Sequence, residues 1–263
     1  MTESRDPVRF GVFDPDAEVQ TSERNLPHWF QPGVATFITF RTADSMPREV
    51  LMWWKREQQD WIRRHHGSEV ADMDAWIQSL PPAAQREFKR HRDRCWHRHL
   101  DSCHGECFLS CPELGRIVAD ALQHFDGRRY DVDSFVVMPN HVHLLVQFRP
   151  PTTLRGQTKS WLRFTALEIN ARLGRTGHFW QSEPFDHLVR SAEQFEYLRR
   201  YIEENPAKAS LRAGEFIYWS SPRVARESLA CGVRKDAPGV GDVPAAERPS
   251  EGYSSRTQPQ GDC

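Results

Sequence analysis

The 263-residue chain has no run approaching the roughly 18 apolar residues that a membrane span requires. Its opening stretch, MTESRDPVRFGVFDPDAE, also lacks the apolar core of a secretory signal. These absences predict a cytoplasmic protein with no membrane partner. Net charge is nearly absent as well: 35 Lys and Arg stand against 36 Asp and Glu, giving −1. A globally basic nucleic-acid binder is thereby excluded, and only local charge can argue for such a partner. Paired C-x2-C arms are missing: Cys95, Cys103, Cys107 and Cys111 follow the spacing C-x7-C-x3-C-x3-C, which fits no compact zinc knuckle. Without a secretion signal the cysteines are expected as reduced thiols. No internal repeat is visible.

What is present excludes a wholly disordered chain, since 38% of residues are hydrophobic and 9 Trp and 15 Phe need burial. Residues 1–27 are polar and Pro-containing and read as a lead-in. Val34 to Arg41 is β-rich and predicts a strand. Residues 47–107 have a helical texture broken by Gly67 and Pro81-Pro82, predicting a helical insertion. From Pro112 to Phe125, apolar residues at 114, 117, 118, 121, 122 and 125 keep helical spacing and stop at Asp126-Gly127. Tyr130 to Met138 and His141 to Phe148 are β-rich runs around the turn signal Pro139-Asn140, hence a hairpin. A second long helix is expected from Leu154 to Leu173, ending at Gly174. A short β segment follows between Phe179 and Arg190, then a third helix from Ala192 to Glu204 that Pro206 should terminate. Residues 28–225 thus form the expected domain, and the Gly, Pro and Ser content of 226–263 predicts a disordered tail. The order predicts an α+β fold, with helices on one face of an antiparallel sheet.

The most informative segment is Phe135-Val-Val-Met-Pro-Asn-His-Val-His-Leu-Leu-Val146. Side chains alternate along a strand, so His141 and His143 point one way while Val142, Leu144 and Val146 point the other. Two imidazoles converging from one rigid element suit a divalent cation. Spacing alone does not decide between this and an ordinary hydrogen-bonded pair, and a metal protein that has no nucleic-acid role is a further reading.

Met138-Pro-Asn-His-Val-His-Leu-Leu145 resembles the His-hydrophobic-His motif of the single-tyrosine HUH transposases, in particular the REP-associated tyrosine transposases. Tyr201-Ile-Glu-Glu-Asn-Pro-Ala-Lys-Ala-Ser-Leu211 is similar to their second signature, in the same order along the chain. Phe37-Ile-Thr-Phe-Arg41, Phe179-Trp-Gln, Phe185-Asp-His-Leu-Val-Arg190 and Trp219-Ser-Ser221 extend the likeness over roughly residues 28–222. The resemblance implies a ferredoxin-like sheet and a transesterase that nicks and rejoins single-stranded DNA at hairpin-bearing, REP-like palindromes. It implies Tyr201 as the nucleophile forming a 5′-phosphotyrosine, with His141, His143 and Asn205 as ligands to Mg²⁺ or Mn²⁺. Tyr201 and Asn205 are one helical turn apart and so share a face. Tyr197 is the alternative nucleophile. The alternative function is a catalytically idle DNA-binding regulator of repetitive palindromes on the same fold, and either acts as a monomer or homodimer.

Local charge supplies candidate DNA contacts. Arg86, Lys89, Arg90, Arg92 and Arg94 crowd one stretch with Phe88 and Trp96 between them, and cations with aromatic faces suit unpaired strands. A solvated helical face explains the same pattern. Arg155, Lys159 and Arg163 recur every four residues and would form a ridge. Trp161, Leu162, Phe164 and Ile169 beside them are expected in the core. His187 and Arg190, ahead of the third helix, are candidates for orienting a site group or meeting phosphate.

Overall fold

The computed structural model of the protein describes residues 8–23, 27–67, 70 and 72–223. In chain order its elements are β1 (Gln20–Glu23), β2 (Pro27–Phe30), β3 (Ala35–Arg41), α1 (Arg48–His66), α2 (Met73–Ser79), α3 (Pro82–Asp101), α4 (Pro112–Gln123), β4 (Tyr130–Val137), β5 (His141–Phe148), α5 (Leu154–Leu173), β6 (Phe185–Leu188), α6 (Ala192–Lys208) and β7 (Ile217–Ser220). Five strands form one antiparallel sheet in the order β6-β3-β5-β4-β7. Within it β3, α4, β4, β5, α5 and β6 trace a split βαβ pattern in which β5 lies between β3 and β4. This is the ferredoxin-like arrangement, and α1 to α3 form the expected helical insertion between its first strand and first helix.

Pleating sorts the central strands into two cores. Ile38, Phe40, Val142, Leu144 and Val146 pack with Leu114, Val118 and Leu122 of α4 and Leu154, Trp161 and Ile169 of α5. Phe37, Val136 and Leu145 face the other way, against Phe195, Leu198, Tyr201 and Ile202 of α6. So α4 and α5 occupy one face as expected, and α6 adds a cover to the opposite face that patterning did not place. Buried residues of α6 fall at 195, 198, 201, 202, 205 and 206, a single stripe at helical spacing. Arg199 fixes the rotation of that stripe: its Nη2 donates to Asp133 Oδ1 at 2.6 Å and its Nε at 3.1 Å, across to the bulged strand β4.

Several boundaries differ from the sequence expectation. Pro206 lies inside α6, which runs on to Lys208. A proline costs one N–H, yet the turn around it is held by Ala209 N–H donating to Asn205 O and Leu211 N–H to Pro206 O, and Pro206 itself is buried. The lead-in is partly built: β1 pairs with β2, and Phe10 is buried against the Phe195 ring, centroids 5.2 Å apart. Strand β7 was not foreseen either; it docks on β4 through Val136↔Tyr218 and its neighbours. Phe164 is 52% exposed rather than in the core, because it lies on the outer side of α5. The expected tail, 226–263, falls outside the described residues.

A charge clamp joins β2 to the sheet edge. His28 Nδ1 bonds Asp186 of β6, and its Nε2 lies 2.9 Å from Glu183 Oε1. The hydrogen bond to Asp186 raises His28 to about 9, against the opposing effect of burial and with help from Glu183. Folding raises this pKa from 6.5, so the clamp's stabilisation is fully present below about 6.5 and is lost as pH climbs through about 9. Urea titrations of the wild type should show that loss, and His28→Gln should flatten it.

Removing one partner of the Arg199–Asp133 pair strands a buried carboxylate. Arg199→Ala should therefore cost about 3 kcal/mol or more in urea unfolding, far above the near-zero effect of an exposed arginine such as Arg172.

Candidate active site

The exposed-edge logic of an ordinary sheet would place water-seeking residues at the rim, yet His141 and His143 lie on the central strand β5, each 1% exposed. Both point to the α6 face, as the period of two requires, with ring centroids 4.7 Å apart. Each ring is oriented at Nδ1. That atom of His141 lies 2.7 Å from Asn140 Oδ1, which can only accept, so Nδ1 carries the proton and Nε2 the lone pair. Asn140 is anchored in turn, its Nδ2 donating to His104 O at 3.1 Å. His143 Nδ1 lies 2.8 Å from Thr39 Oγ1, its direct cross-strand partner on β3.

Above the pair stands Tyr201. Its Oη is 3.4 Å from His143 Nε2, and the two rings meet edge to face with centroids 5.1 Å apart. Phe37 completes the stack, lying parallel to His143 at 5.4 Å and edge-on to Tyr201 at 6.1 Å. Lys208 Nζ is 5.5 Å from the Tyr201 ring. Tyr197, the alternative one turn earlier, is 41% exposed. Asn205 follows Tyr201 on the buried stripe of α6 and is fully enclosed, and neither Oδ1 nor Nδ2 has a hydrogen-bond partner among the described residues.

The donor set could hold a divalent cation: two imidazoles oriented by hydrogen bonds at Nδ1, and a buried amide oxygen to which no group among the described residues donates. Among the described residues no group of three or more His, Cys, Asp or Glu side chains is placed to hold a metal ion. Two of the thiols expected to be reduced are instead joined as a Cys103–Cys107 disulfide; their Cα atoms are 6.2 Å apart in a tight loop. Cys95 and Cys111 are free. Gly105 in that loop has φ +86°, and a Cβ there would lie 2.6 Å from the Asp44 carbonyl oxygen, so glycine allows the loop to close beside Asn140's anchor.

The insertion borders this site through α3. The Arg41 guanidinium, at the end of β3, lies over the Trp96 ring at 4.6 Å. Lys89 is near enough to His187 to act on its charge. Burial, then the Arg190 charge, then Lys89 hold His187 down at about 4, although Gln194 Nε2 bonds its Nε2 at 2.9 Å. Arg86, Arg90 and Arg94 are exposed at four-residue intervals along α3, with Lys89 and Arg92 half-buried. Arg155, Lys159 and Arg163 are also exposed, but α5 lies across the sheet from the histidines, so they are not brought to the site. Arg190 is exposed at the mouth of α6. Thr39, Asn140, Arg41 and Gln194 were not singled out by sequence reasoning; only the alternation of β3 could have paired Thr39 with a histidine.

Residues 113–205 match the family model described as "Transposase IS200 like". That segment holds His141, His143, Tyr201 and Asn205, and the match bears out the resemblance read from the two motifs. The chain is similar to the structure of a REP-associated tyrosine transposase bound to a REP hairpin, at 11% identity and TM-score 0.36, covering 80% of this chain and 96% of that one. It is also similar to a structure described as a candidate transposase from Deinococcus radiodurans R1, at 13% identity and TM-score 0.26, covering 65% and 90%. No curated protein matches the chain by sequence. Among the described residues no helix is long and apolar enough to cross a membrane.

A buried, cation-flanked imidazole should resist protonation. In a pH titration followed by NMR, the His187 ring should titrate near 4 rather than 6.5, and Arg190→Ala should raise it only in part, because burial is the larger cause.

Proposed function

We propose that this chain is a transposase-class, metal-dependent tyrosine transesterase that nicks and rejoins single-stranded DNA at hairpin-bearing sites. The observation that carries the reading is the 3.4 Å approach of the Tyr201 phenol to His143 Nε2, within the segment matched to the IS200-like family.

A phosphodiester resists attack because its anionic oxygens repel nucleophiles. His141, His143 and Asn205 would hold the Mg²⁺ or Mn²⁺, which, when bound, draws charge from a non-bridging phosphate oxygen. Tyr201 supplies the nucleophile: its hydroxyl proton leaves, the bond from Oη to phosphorus forms, and the bond from phosphorus to the 3′ oxygen breaks. The products are a 5′-phosphotyrosine and a strand whose 3′ oxygen takes up a proton. Because the phosphate bond is conserved on the protein, a DNA 3′-hydroxyl can attack it and rejoin strands. Packing of the ring against Phe37 and His143 fixes the angle of approach, the entropic share of the rate. Asn140 holds His141 in the ligating tautomer, and Thr39 fixes the orientation of the His143 ring. The basic ridge of α3, with Arg86, Lys89, Arg90, Arg92 and Arg94, and Arg190 supply cations along one side of the site, and the neutral His187 ring lies between Arg190 and Lys89 as a hydrogen-bonding group. Arg155, Lys159 and Arg163 would meet only DNA that reaches the far face.

Covalent capture tests the reading. Mixed with Mn²⁺ and a hairpin-bearing single strand taken from inverted repeats beside its own coding sequence, the wild type should form a denaturation-resistant protein–DNA adduct. Tyr201→Phe should form none and still shift the DNA in a native gel, while Tyr197→Phe should form it normally. His141→Ala and His143→Ala should each lower adduct formation by about 10²-fold or more. A wild type that shifts DNA with no adduct under these conditions overturns the enzyme in favour of a binding protein.

A further inference from the structure

Arg41 has a setting that the chemistry above does not use. It is the last residue of β3 and pairs in register with His141, so both side chains rise on the same face of the sheet. Its Nη2 donates to Gln181 Oε1 at 2.6 Å, and the guanidinium plane is covered by Trp96 at 4.6 Å. Among the described residues the buried Nη1 has no hydrogen-bond partner, and no carboxylate pairs with the group. The guanidinium is nonetheless charged near neutral pH, since burial lowers it only to about 10.

The contrast with the other enclosed arginine is informative. Arg199 is neutralised by Asp133, and Arg149 and Arg223 by Asp131. A half-buried cation with an idle N–H is costly in the folded chain unless an anion completes it. The neutral glutamine and the indole face fix the fork's orientation without cancelling its charge, an arrangement suited to an anionic oxygen presented beside His141.

We propose that Arg41 is a phosphate-binding residue of this site: its Nη1 donates to a non-bridging oxygen of the DNA phosphodiester that is delivered to the His141–His143 pair, with Gln181 and Trp96 as positioning residues. This deepens the transesterase reading and rests on it for the identity of the anion. It also gives the insertion a task, because Trp96 comes from α3.

Two measurements separate this inference from the reading beneath it. The first is single-strand affinity against salt concentration, taken in the Tyr201→Phe background so that no cleavage intervenes. Arg41→Gln should reduce the magnitude of the logarithmic salt slope by about 1, the loss of one phosphate contact. The second is adduct formation with Mn²⁺ in the otherwise wild-type chain. Arg41→Gln should slow it by about 10²-fold or more, and Arg41→Lys should recover the salt slope while remaining about tenfold slow, because an ammonium lacks the fixed fork. Thermal unfolding checks that each variant is folded, and should Arg41→Gln fail that check, Arg41→Lys decides alone through its rate. An unchanged salt slope in Arg41→Gln, or wild-type adduct rates in the folded variants, overturns the phosphate site. A wild type that forms no adduct while Arg41→Gln still lowers the slope overturns the transesterase and keeps the phosphate site.

Discussion

The pleat of β5 is the constraint on which the rest depends. Its alternation sends Val142, Leu144 and Val146 into the core beneath α4 and α5, and by the same geometry it sends His141 and His143 to the other side. A one-residue slip would exchange the two sets, burying imidazoles among aliphatic side chains and opening the main core. Register is fixed twice over, by seven partners on β3 and by the short hairpin to β4. The separation of the two imidazoles is therefore a property of the sheet and not of mobile side chains. Tyr201 inherits this precision through α6, whose stripe of Phe195, Leu198 and Ile202 and whose Arg199–Asp133 bond set its rotation over the strand.

How much of this was legible depends on where the determining force was local. The hairpin Tyr130–Phe148 and α5 are bounded by turn and cap residues within a few positions, so the expected limits and the observed ones agree. The two histidines were readable for the same reason, since period-two alternation is local. Three features were not legible. Helix α6 passes Pro206 because burial of the prolyl ring outweighs one absent hydrogen bond, a tertiary effect that a helix-stop rule omits. Strands β1, β2 and β7 are four residues each, below the length at which alternation distinguishes strand from loop. The face that α6 covers was invisible because both sheet faces carry apolar residues, and only the assembled topology says which helix takes which.

Whole-chain charge concealed the distribution that matters. A net charge of −1 says nothing of placement: on the β4 side Arg149 and Arg223 share Asp131, and Arg199 holds Asp133. Near the histidines the pattern is reversed. His187 sits among Arg190, Lys89 and a neutral Gln194, and Arg41 has a neutral glutamine and an indole for company. Among the described residues these cations have no carboxylate partner, in contrast to those of the β4 side. The separation is structural, produced by which strands carry the aspartates, and composition alone could not have shown it.

Asn205 exposes the tension between stability and use. Its amide is fully enclosed on a stripe whose other members are Phe195, Leu198, Ile202 and Pro206, and neither amide atom finds a partner among the described residues. Each such buried group costs about 1–3 kcal/mol relative to a satisfied one, so a leucine at this position would serve the fold better. Asn140 and Thr39 fit the same economy: polar, buried, and spent on aiming imidazoles and not on packing. Local departures from the best core sequence thus gather on the face of the sheet that α6 covers, contributed by a helix, a strand and a turn.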